Sequence, residues 1–115
     1  MIRRILRTFM AIPGVRASAV VGRDGLVIES SGGDGMHIEA LGALASTGIG
    51  SMELVGREFG QGELDIVISE FAGGTIIMCS LSPREILALV TTPQCPIGRI
   101  RYEVKRYREL LRDLL

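Results

Sequence analysis

A thiol, an imidazole and a run of glycines beside a serine are the parts of this sequence that could do chemistry. Cys95 with His37 would make a nucleophile and its base, but such a pair needs a third group to orient the imidazole and donors for an oxyanion, and neither is legible. Gly48 and Gly50 ahead of Ser51 suggest a phosphate-cradling loop. That loop requires Gly-x-x-x-x-Gly-Lys-Ser/Thr after a strand, and Lys105 is the only lysine in the chain. Cys79 lies among Ile76, Ile77 and Met78 and reads as core packing. Two Cys, a single His and scattered acids do not make a zinc site or a disulfide framework. Glu53, Arg57 and Glu58 stand at helical spacing and are most simply ion pairs on a helix end. The residues predict no catalytic centre, no metal site and no cofactor.

What remains is a surface. The 115 residues fit one domain, 1–115, with thirteen basic side chains balancing thirteen acids. A 47% hydrophobic share is high for a chain this short, because small domains leave much of their surface in water. Some apolar surface should therefore face another chain. Residues 36–59 carry Ile38, Leu41, Ala45, Ile49, Met52, Val55 and Phe59 in one helical stripe, so a single long helix is expected to bury that stripe. From Ala40 to Met52 it has no charge at all, and its opposite face offers Ala40, Ala43, Thr47, Ser51 and Leu54. Gly42, Ser46 and Gly50 recur every fourth residue on a flank where a second backbone could come close, which suggests a helix-to-helix dimer seam beside a docking face.

The elements around this helix follow from periodicity and turn chemistry. Ile2, Ile5, Leu6, Phe9 and Met10 form an amphipathic stripe stopped by Pro13-Gly14. Residues 17–21 and 26–29 are β-prone runs about the tight turn Gly22-Arg23-Asp24-Gly25, and 30–35 is a loop in which Asp34 is placed to cap the long helix. Strands are expected over 64–69, 75–80 and 86–91, the first two joined through Phe71-Ala72-Gly73-Gly74 and the last two at Ser82-Pro83. Pro96 opens a last helix with Ile97, Ile100, Val104, Tyr107, Leu111 and Leu114 on its apolar side. The expected order is αββαβββα, an α+β layered domain with an antiparallel meander.

Charge is unevenly distributed. Residues 1–16 hold four Arg and no acid, and 99–115 hold six basic residues against three acids, whereas 17–98 hold three against ten. If the terminal helices share one sheet face, that side is basic and the other acidic. Balanced net charge and few aromatics make nucleic acid an unexpected partner. Arg3 and Arg4 before an apolar stretch and Ala17-Ser18-Ala19 imitate a secretory signal, but Arg7 and Pro13-Gly14 interrupt it. No stretch suits a membrane span, and the sparse cysteines fit a reducing cytoplasm.

The ordered set of Ile12-Pro13-Gly14-Val15, the hairpin Ala19-Val20-Val21-Gly22-Arg23-Asp24-Gly25-Leu26-Val27-Ile28, the small-residue helix, Gly62-Glu63-Leu64 and Ile97-Gly98-Arg99-Ile100-Arg101-Tyr102-Glu103 resembles the Roadblock/LC7 family, in particular its prokaryotic MglB-like members. The resemblance implies a five-stranded antiparallel sheet with the long helix on one face and both terminal helices on the other. It also implies a homo- or heterodimer, here taken as a homodimer, in which the third strand, with Leu64, Ile66 and Ile68, pairs with its counterpart while the long helices lie side by side along 40–52. Prokaryotic members of the family typically bind Ras-like small GTPases and act as activators, scaffolds or state sensors. Carried onto this chain, the GTPase platform comprises Ala40, Ala43, Thr47 and Ser51. Activation would order the GTPase's own switch segments, the alternative being an inserted arginine, Arg57 or Arg23. A structural adaptor without a GTPase and a small-molecule sensor with a pocket beneath the sheet are the competing readings.

Overall fold

The computed structural model describes all 115 residues. Its elements are α1 (Ile2–Met10), β1 (Val15–Gly22), β2 (Val27–Gly32), α2 (Ile38–Glu58), β3 (Val67–Phe71), β4 (Gly74–Ser80), β5 (Glu85–Thr91) and α3 (Ile97–Leu114). The five strands form one antiparallel sheet in the order β2-β1-β5-β4-β3, which puts β2 and β3 at its two edges. The expected element order and layering are both found.

Strand alternation divides the core in two. On one face Val20, Ile77, Cys79, Leu87 and Leu89 meet Ile5, Leu6 and Phe9 of α1 and Ile100, Val104 and Leu111 of α3. Ser18 points to the same side, where its buried hydroxyl donates to the Leu6 carbonyl at 2.9 Å, and the Phe9 and Tyr107 rings meet edge to face. On the other face the smaller set Ala19, Val21, Met78, Ile86 and Ala88 receives Ala45 and Ile49 from α2, with Leu41 half-buried against it. With α1 and α3 on one side, the exposed Arg4, Arg7, Arg99 and Arg101 give that side its basic character.

Three boundaries differ from expectation. β2 continues through Ser30 and Ser31, because these pair with Ala19 and Ser18 of β1, so the following loop is shorter. α2 starts at Ile38 with no side-chain cap, and Asp34 stays exposed instead of accepting from its first amides. The third strand begins at Val67, later than the apolar alternation suggested. Pairing with β4 begins at Val67, and before it Asp65 turns to Arg108 and Lys105 of α3, the latter with its Nζ 3.1 Å away, while Leu64 and Ile66 lie half-buried against opposite faces. Of the three apolar residues assigned to the edge strand, Ile68 alone lies within it.

Candidate partner-docking face

α2 has three sides. Its sheet-facing side is narrower than the predicted stripe: Gly42, Ala45 and Ile49 are buried, whereas Met52, Val55 and Phe59 remain 42%, 47% and 73% exposed. The helix packs on β1, β4, β5 and β2, and the later apolar residues of the stripe stay open to solvent.

The flank carrying Gly42 and Ser46 is occupied by the chain's own β1–β2 turn. A Cβ on Gly42 would lie 2.5 Å from the Gly25 carbonyl oxygen, so only glycine admits this approach, and Gly25 itself sits at φ +90°. Ser46 donates to the Arg23 carbonyl at 2.6 Å. These two residues, assigned to a seam with a twin chain, serve an intrachain contact, while Gly50 has open space where a Cβ would be. The opposite flank is the apolar one. Gly48 lies over Met78 of β4, and one turn to either side of it stand Leu44, 70% exposed, and Met52, with Val55 and Phe59 further along. This flank lies on the β4 side of the helix, and beyond β4 stands β3, whose outer edge has no hydrogen-bonding neighbour.

The third side faces away from the sheet. Ala40 is half-buried and Ala43, Thr47 and Ser51 are exposed, spaced so that all four lie on one helical face. The Thr47 hydroxyl donates to the Ala43 carbonyl at 3.1 Å and the Ser51 hydroxyl to the Thr47 carbonyl at 3.0 Å. Both donors are thus satisfied inside the helix, and the surface offers methyl and methylene groups with little need of water. Leu54, 60% exposed, extends it.

Arg23 locks this helix to the sheet, a role absent from the sequence reading. Its guanidinium reaches Glu53 of α2 twice, at 2.5 and 3.0 Å, and Ser80 of β4 at 3.1 Å, while its amide donates to Arg84 at 2.8 Å. The hydrogen bond from Arg23 holds the Glu53 carboxyl below its ordinary pKa. Arg23 is therefore committed, and of the two arginines considered for insertion into a partner only Arg57 has a guanidinium without an ion pair. The signal for the lock was present in Arg23 and Glu53, but their separation of thirty residues hid it.

A cleft of about 970 Å³ opens beside this lock, between the C-terminal parts of α2 and α3. Arg23, Arg108 and Arg112 line it, yet each is engaged, with Glu53, Asp65 and the Leu81 carbonyl respectively. It lies at the end of the sheet and not beneath it, where both faces are filled by side chains.

The thiol and imidazole do not meet. Cys95 is buried on the α1 and α3 side, His37 is exposed at the start of α2 on the other, and burial raises both thiols, Cys79 to about 12. No group of three or more His, Cys, Asp or Glu is placed to hold a metal ion. No helix is long and apolar enough to cross a membrane.

The Roadblock/LC7 domain family model matches residues 1–91. The uncharacterized protein MJ1340 of Methanocaldococcus jannaschii is 34% identical over 114 residues, 99% of each chain. Among solved structures, the Roadblock/LC7 domain from Streptomyces avermitilis superposes with a TM-score of 0.89 at 19% identity, covering 97% of this chain and 95% of that one. Myxococcus xanthus MglB does so with 0.88 at 18% identity, covering 98% and 93%.

Proposed function

This chain belongs to the Roadblock/LC7 domain family, and from that premise we propose that it is a dimeric, non-catalytic regulator that docks a Ras-like small GTPase on the outward side of α2. The observation carrying this reading is the charge-free run of α2 from Ala40 to Met52, whose outer hydroxyls are spent within the helix and whose outward side is continued by the exposed Leu54. A soluble chain exposing such a surface gains by covering it.

The second copy joins through the open β3 edge and the flank of α2 that looks toward it. Leu44, Met52, Val55 and Phe59 replace Gly42 and Ser46 in this seam, because the β1–β2 turn already fills the other flank. Gly50 opens toward the outer side of the helix and Ile68 lies in the pairing strand, while Leu64 and Ile66 flank it. With Arg23 committed to Glu53, it is not the inserted arginine; activation works by ordering the GTPase's switch segments, Arg57 being the one arginine of the two still free to be inserted.

The test is binding of purified Ras-like GTPases of the source genome in GTP and GDP forms. Ala43→Arg or Thr47→Arg should abolish GTP-form binding with circular dichroism and sedimentation unchanged, and Val55→Glu should shift sedimentation toward the single chain. Undiminished binding by both arginine variants would remove α2's outer side from the interface.

A further inference from the structure

Beside α2's outer side stands a turn whose exposed leucine, Leu26, belongs to neither core cluster. Resting on the proposed docking of a GTPase there, we infer that the platform extends over the β1–β2 turn, with Leu26 as its apolar anchor. Its partner presents an apolar depression bordered by Lys and Arg side chains.

Leu26 is 68% exposed, a common enough state for one leucine. Its setting is not common. The turn is closed by hydrogen bonds from Gly22 N–H to the Leu26 carbonyl at 2.7 Å, from Gly25 N–H to the Gly22 carbonyl at 2.9 Å, and from Leu26 N–H to the Asp24 carboxylate at 3.1 Å. It is fastened to α2 through Ser46 and through the Gly25 carbonyl against Gly42. Leu26 is thus held out in water by a backbone with no slack, and engaging it requires no loop to be ordered. A Cβ on Gly25 would lie 3.4 Å from the Cα of Ala43, so the turn and the outer side of α2 form one continuous surface.

The border of this surface fixes the partner's chemistry. Asp24 at the turn, Asp34 before the helix, and Glu39 and Glu58 near its two ends are all exposed, and none has an ion-pair partner. Arg57 is the only basic residue of α2. Unpaired carboxylates around an apolar patch favour a partner with cations at its rim, and they speed encounter at low salt.

The probe is each Ras-like GTPase of the source genome, purified and loaded with a non-hydrolysable GTP analogue. Leu26→Ser should weaken its binding by about tenfold or more, as truncation of an interface anchor does. Raising salt from about 0.05 M to about 0.5 M should weaken the unaltered protein and leave the double variant Glu39→Arg, Glu58→Arg unaffected or strengthened. If Thr47→Arg abolishes binding while Leu26→Ser stays within about twofold, or binding is indifferent to salt, the extension is wrong and the platform stands. If no GTPase binds in either nucleotide state, the platform and its extension fall together.

Discussion

Replacing Arg23 by Met keeps the aliphatic stem and removes the guanidinium that joins α2 to the sheet. The Arg23 and Glu53 side chains are 26% and 30% exposed, so the pair falls between two regimes. Exposed ion pairs contribute about 0.2–1 kcal/mol, whereas stranding one partner of a buried pair costs about 3–5 kcal/mol. The bidentate geometry and the further bond to Ser80 place the expected loss near 2 kcal/mol, or about 8 °C in the unfolding midpoint at about 4 °C per kcal/mol.

Acid supplies the control. Arg23 lowers the Glu53 pKa in the folded protein, so the stabilisation is fully present above the unfolded carboxyl's value of about 4.3 and is lost as pH falls through the folded one. The gap between the unaltered protein and Arg23→Met should therefore be widest near neutrality and shrink below about pH 4. Thermal unfolding at one fixed concentration measures it, and Glu53→Gln with the double variant isolates the pair. A loss under about 0.5 kcal/mol at pH 7, or a gap that does not narrow in acid, would refute the assignment of Arg23 as the lock.

Gly42→Ala should destabilise by about 1–3 kcal/mol despite a gain in helix propensity, since its Cβ would strike the Gly25 carbonyl, whereas Gly50→Ala meets nothing within 4 Å and should stabilise by up to about 1 kcal/mol. Chemical denaturation of the two variants side by side checks both signs. Cys79 and Cys95, buried and with raised pKa values, should resist maleimide in the native protein and react once it is unfolded, which mass spectrometry reads directly. Asp65→Asn should cost less than about 1 kcal/mol, because the Asp65 carboxylate and its Lys105 partner stand largely in water, and the small effect should fade in high salt.

The fold was legible because its signals are local. Asp24-Gly25 marks a turn that needs positive φ, Pro13-Gly14 stops a helix, and Pro96 precedes one. Boundaries were less so where a distant partner decides them. Nothing between 60 and 70 announces that Asp65 will be held by Arg108, forty-three residues on, or that pairing with β4 will begin only at Val67.

The side of α2 was harder still, for a reason particular to its composition. Helical periodicity sorts residues into faces only when polar residues mark the wet one, and between Ala40 and Met52 none is charged. The apolar stripe from Ile38 to Phe59 is real as a pattern, yet the sheet covers the helix only near Gly42, Ala45 and Ile49. By spacing alone Gly42 and Gly50 are alike as gaps for a twin helix, yet one is filled by the chain's own turn and the other is open. The distinction lies in what approaches the missing Cβ, a tertiary fact. The consequence is specific: the large side chains Leu44, Met52, Val55 and Phe59, and not the small ones, are those left needing cover along the flank opposite the β1–β2 turn. A seam built from them buries far more apolar surface than one of Gly42, Ser46 and Gly50 would, which is why charge at Val55 should separate the copies where a side chain added at Gly50 should not.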